Sequence, residues 1–139
     1  MDAAGFTALL QRVADGWTLG DPAAAADCFA IDAVYVEPPD AQRHVGREDL
    51  AAFFHGDGPQ PRRMSMTWHH VAYDPETGVG FGEYTFSSPT GFAAHGVTVV
   101  TVIDGRIATW REYQYPSTIP FRDFAGDSLD PGDVPPAGR

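Results

Sequence analysis

Between Arg63 and Tyr115 apolar and polar residues alternate in long runs, and this constrains the fold more than any other feature of the 139-residue chain. Met64, Met66 and Trp68 are interleaved with Ser65, Thr67 and His69, a period of two that a strand satisfies and a helix does not. Val79–Ser88, Phe92–Ile103 and Arg106–Tyr115 read as three further strands. The segments between them, Asp74-Pro75-Glu76-Thr77-Gly78, Pro89-Thr90-Gly91 and Asp104-Gly105, are turn sequences too short for a crossover. Four strands joined in this way pair as an antiparallel meander.

The first part of the chain has another rhythm. Phe6, Leu9, Leu10, Val13 and Trp17 recur at three- and four-residue spacing, which predicts a helix over residues 6–19 stopped by Gly20. Asp21-Pro22 reads as an N-cap with proline at the first helical position, opening a short alanine-rich helix to Phe29. Ala33–Glu37 is a short strand ended by Pro38-Pro39, and Val45–Phe54 is a turn entering a third helix. Three amphipathic helices need an apolar partner, and one face of the meander supplies it. The expected fold is therefore α+β, with three helices on a strongly curved antiparallel sheet that forms a cone around an internal pocket. A single domain over 1–124 is expected. The acidic, Pro- and Gly-rich tail over 125–139 cannot bury enough apolar surface to order itself and is expected to be flexible.

Charge narrows the partners. With 19 acidic and 9 basic residues the net charge is -10, which repels phosphate backbones and anionic headgroups, so neither nucleic acid nor membrane is an expected partner. The single cysteine, Cys28, permits no intrachain disulfide and lies in an alanine-rich helix, where a buried thiol is expected. Met1-Asp2-Ala3-Ala4-Gly5 has no basic segment, and no apolar run approaches the roughly 20 residues that span a bilayer. A cytoplasmic protein is expected.

The run Gly20-Asp21-Pro22…Phe29-Ala30-Ile31-Asp32-Ala33-Val34-Tyr35-Val36-Glu37-Pro38 resembles the opening of the SnoaL-like proteins of the nuclear transport factor two-like superfamily, which has the cystatin-like fold. Gly46-Arg47-Glu48-Asp49-Leu50 resembles the family's third-helix entry, and Asp104-Gly105-Arg106-Ile107…Trp110-Arg111-Glu112-Tyr113 its closing hairpin. The resemblance covers about residues 6–115 and implies a fold that hosts isomerases, epoxide hydrolases, cyclases, dehydratases and non-catalytic binding proteins. Similarity to ketosteroid isomerase implies a general base at Glu37, while the positions of its oxyanion donors carry Val13 and Val99. Similarity to limonene epoxide hydrolase implies carboxylates at Glu112 and Glu83, while the position of its linking arginine carries Phe81.

Strand alternation gives three same-face sets: Phe81, Glu83 and Thr85; His95, Val97 and Val99; and Trp110, Glu112 and Gln114. The two family matches point all three sets into the cone. Glu112 and Glu83 are then the expected acid–base pair, assisted by His95 or Glu37. Trp110, Phe81, Tyr35, Trp17, Val97, Val99 and His69 are expected to line the site for a small, largely apolar organic molecule. His69 and His70 are adjacent on a strand and so should face opposite sides, which disfavours a shared metal; no metal or other cofactor is expected. The reading is a cofactor-independent acid–base enzyme of isomerase, cyclase, dehydratase or epoxide-hydrolase type. A binding or accessory protein with the same pocket is the alternative. Ile107, Thr109, Tyr113, Tyr115, Val100, Val102 and Phe86 are expected on the outer sheet face, where a second copy would cover them as a homodimer.

Overall fold

The computed structural model describes residues 1–38 and 40–126. It contains helices α1 (Ala3–Leu19), α2 (Pro22–Asp27), α3 (Arg47–His55) and α4 (Phe121–Ala125), and strands β1 (Phe29–Glu37), β2 (Gln42–Val45), β3 (Ser65–Asp74), β4 (Val79–Ser87), β5 (Ala93–Ile103) and β6 (Arg106–Pro116). The flexible tail expected from residue 125 lies, beyond Gly126, outside the described residues. No helix among the described residues is long and apolar enough to cross a membrane.

Local chemistry sets the helix ends. Asp2 caps α1 by accepting from the Gly5 N–H at 2.8 Å, and Asp21 caps α2 by accepting from the Ala24 N–H at 3.0 Å. Phe6, Leu9, Leu10, Val13 and Trp17 form the buried stripe of α1. Sequence reasoning missed the short β2, which pairs antiparallel with the end of β1, and α4, which follows the last strand.

The six strands form one curved, open sheet in the order β2-β1-β6-β5-β4-β3. The meander β3–β6 is antiparallel throughout, and β1 lies parallel against β6. The concave face holds the core beneath α1, α2 and α3. On β4 that face carries Gly80 and Gly82, and a Cβ at either position would lie 2.3 Å from Phe6 Cζ or 2.4 Å from Trp68 Cζ3. The missing side chains let α1 settle onto the sheet.

Two bulges decide which side chains look inward. The two-residue turn pairs Ile103 with Arg106 and Val102 with Ile107, but the next pair is Thr101 with Thr109. Ala108 is therefore an extra residue in β6, and every later pair shifts by one. Val100 then faces Trp110, and Thr98 faces Glu112, on the concave side. Without the bulge Val97 would face Glu112, the arrangement that strand alternation alone suggests. The second bulge makes His69 extra in β3, between the pairs Trp68–Tyr84 and His70–Glu83. It turns both histidines to the convex side, whereas simple alternation puts them on opposite faces.

Close packing over β4 predicts that Gly80→Ala destabilises the fold by about 1–3 kcal/mol, because Phe6 must move to admit the methyl group. Urea denaturation measures this, and an unchanged midpoint would show that the approach of α1 to β4 is not tight.

Candidate functional site

At the open end of the concave face lies a cavity of about 280 Å³. Its apolar wall is Trp17, Tyr35, Phe53, Met64, Met66, Phe86 and Phe92, and its polar groups are Gln42, Arg62, Tyr84, Ser88, Glu112 and Gln114. Helix α1 supplies Trp17, α3 supplies Phe53, and the strands supply most of the rest.

Glu112 is 5 % exposed and lies at the centre of a hydrogen-bond cluster drawn from three strands. Its Oε1 accepts from the Tyr35 hydroxyl and from Trp110 Nε1, the latter at 2.9 Å. Trp110 stacks on Tyr35 with ring centroids 5.5 Å apart and planes within 7°. On the other side Tyr84 Oη lies 3.3 Å from Glu112 Oε2 and 2.9 Å from Gln114 Oε1.

Tyr84 has one hydroxyl proton and two carbonyl-type acceptors within reach. An ionised Glu112 makes them compete for it. A protonated Glu112 removes the conflict, because its own Oε2–H donates to the Tyr84 oxygen while Tyr84 donates onward to Gln114. Burial raises the Glu112 pKa, against the lowering effect of the hydrogen bonds from Tyr35, Trp110 and Tyr84; the charge of Glu37 raises it further. Burial, together with the neighbouring Glu112, also raises the pKa of both Tyr35 and Tyr84. The cluster thus places one carboxyl with a raised pKa between two phenols whose own pKa values are raised.

Of the expected site residues, Glu112, Tyr35 and Trp17 line this cavity. Trp110 is fully buried behind Tyr35 and does not line it. Glu37 shares the inward parity of Ala33 and Tyr35 at the end of β1, where its Oε2 accepts from Gln42 Nε2 at 3.0 Å. Through Gln42 it stands at the rim of the cavity.

Glu83, His95, Phe81, Val97, Val99 and His69 require correction, for they lie on the convex face. The Ala108 bulge puts Thr98 opposite Glu112, so the β5 residues of the other parity, and the β4 residues paired with them, turn outward. Glu83 meets His70 Nδ1 at 2.7 Å there. Phe81 is 49 % exposed. His69 and His95 flank Thr85: the His69 Nε2–Thr85 Oγ1 distance is 2.6 Å and the Thr85 Oγ1–His95 Nδ1 distance 2.9 Å. Helix α4 covers them, with Phe121 stacked on His69 and Phe124 on His95. Val100, Ile107 and Phe86, expected outside, pack inward, and Val102 packs against the core. Thr109, Tyr113 and Tyr115 do face outward.

Tyr84, Gln42, Arg62 and the two methionines are site residues that sequence reasoning missed. The alternation of Met64 and Met66 was visible, but Tyr84 becomes an inward residue only once the bulge is known. Among the described residues no three metal-ligating side chains converge. Cys28 is buried, its thiol pKa raised chiefly by that burial.

A SnoaL-like domain family model matches residues 10–110. No curated protein matches the sequence. Among solved structures, an NTF-2 like protein of unknown function from Burkholderia xenovorans is 22% identical, with 87% of this chain and 92% of that chain covered at a TM-score of 0.65. An LEH-like epoxide hydrolase from M. tuberculosis is 18% identical, covering 81% and 84% at 0.64. A protein of unknown function with a cystatin-like fold from Methylobium petroleophilum is 16% identical, covering 97% and 98% at 0.67. At such identities the likeness is one of fold.

The raised pKa of Glu112 fixes the sign of a pH effect. Its proton is held more tightly in the folded state than in the unfolded chain, so this contribution to stability is complete below the ordinary value of 4.5 and is lost as pH rises through the folded value. Glu112→Gln mimics the protonated acid and titrates nothing. The stability of Glu112→Gln relative to the parent should therefore rise with pH across that window, as read by urea midpoints. A constant difference would contradict the raised pKa.

Proposed function

This chain belongs to the SnoaL-like domain family, and we propose that it is a cofactor-independent acid–base enzyme acting on a small, largely apolar organic molecule held in the concave cavity. The observation that carries the reading is the buried Glu112 carboxyl, which lines an aromatic cavity in an environment that favours its acid form. Glu112 is the proton donor: a ligand oxygen replaces the Tyr84 oxygen as acceptor of the Oε2–H, while Tyr35 and Trp110 stay hydrogen-bonded to Oε1. Glu37, at the rim on the same face, is the candidate base. Isomerisation, dehydration, cyclisation and ring opening all fit one donor and one acceptor on a common ligand.

One observation favours the binding-protein alternative. Glu112 already has three partners within the protein, so a purely structural carboxyl would look similar. Incubating the protein in heavy water with a panel of small enones, β-hydroxy ketones and epoxides separates the two. The enzyme reading expects substrate-dependent deuterium incorporation or turnover that falls by about 10²–10⁴-fold in Glu112→Gln. Ligand binding with no turnover, or turnover indifferent to Glu112→Gln, would sink it.

We also propose that two copies associate through the convex face, where Phe81, Val97, Tyr113 and Tyr115 are exposed side by side on β4–β6. Sedimentation equilibrium should give a dimer for the parent and a monomer for Tyr113→Arg. A monomeric parent at micromolar concentration would refute this.

A further inference from the structure

Arg62 is the cation among the described residues that line the cavity, and its position is specific. The guanidinium carbon lies 5.0 Å from the Trp17 ring centroid and 4.9 Å from that of Phe53, and Nη2 donates to the Phe53 carbonyl at 2.6 Å. These three contacts hold the fork at the mouth of the cavity. No described carboxylate comes within ion-pair distance of it; Asp57 acts on it only at longer range. Arg62 is exposed, and the hydrogen bond its side chain makes among the described residues uses Nη2, which leaves Nε and Nη1 to meet solvent or a ligand.

On the reading that the Glu112 cavity is the ligand site, we propose that its ligand is a planar aromatic or conjugated carboxylic acid, with the carboxylate on Arg62 and the unsaturated body running inward past Trp17 and Phe53 to Glu112. Three features support this class. A guanidinium fork matches a carboxylate with two parallel hydrogen bonds. The net charge of -10 repels anions at a distance, so an anion retained here needs a local cation that no protein carboxylate neutralises. The volume of about 280 Å³ lies just under the roughly 300–1,000 Å³ usual for ligand pockets and suits a single ring with a short side chain.

The test compares trans-cinnamate with its neutral isostere trans-cinnamamide by isothermal titration at low salt. Cinnamate should bind about tenfold more tightly, a difference of about 1.4 kcal/mol. Arg62→Met should bring cinnamate to within about twofold of the amide by weakening cinnamate much more than the amide, and Arg62→Lys should keep part of the preference. Because Arg62 is exposed, both variants retain the fold, which thermal unfolding verifies. Equal affinities in the parent, or a preference surviving in Arg62→Met, would overturn the assignment while leaving the cavity a ligand site. If neither compound binds, the assignment falls together with the reading on which it rests.

Discussion

A single extra residue, Ala108, decides what kind of interior this protein has. Because side chains alternate along a strand, moving the β5–β6 pairing by one residue exchanges the two faces of β5 relative to β6. Strand β4 follows β5 in regular register, so its faces exchange as well. The bulge sends Glu83, His95 and Val97 outward and brings Thr98, Gly82 and Tyr84 inward opposite the Trp110–Glu112–Gln114 run. The interior therefore holds one deeply buried carboxyl with phenol partners, not a carboxylate pair with an imidazole.

The consequences are electrostatic. Two close carboxylates in an apolar cavity would repel each other and split their pKa values, one holding the proton and the other ionised. Glu112 instead sits among Tyr35, Tyr84 and Trp110, which satisfy its lone pairs without supplying a compensating positive charge. Burial outweighs the effect of these hydrogen bonds and raises the Glu112 pKa. The cation that the site does possess is at the mouth, above Trp17 and Phe53. The buried carboxyl and the cation are thus separated along the cavity.

The helices, the meander and the family were legible in the sequence, because hydrophobic period, caps and turn residues are local signals. The SnoaL-like match over residues 10–110 agrees with the motifs around Asp32-Ala33 and Trp110–Tyr113. Tyr35, Trp17 and Glu112 were legible as inward residues for the same reason. The convex placement of Glu83, His95, Phe81, Val97, Val99 and His69 was not. A bulge replaces one local arrangement by another of similar energy and is chosen by tertiary packing, here the burial of Ile107 and Val100 on either side of the shift. Nothing around Ala108 or His69 marks the extra residue. Helix α4 escaped for a related reason: its Phe121 and Phe124 find partners only because both histidines lie on the convex face.

Infrared difference spectroscopy of the parent against Glu112→Gln tests the central claim most directly, at a pH where the exposed carboxylates are ionised. A neutral acid between Tyr35 and Tyr84 predicts a protonated-carboxyl C=O band in the parent, shifted in deuterated buffer and lost in the variant. A carboxylate band from Glu112 under the same conditions would contradict the account.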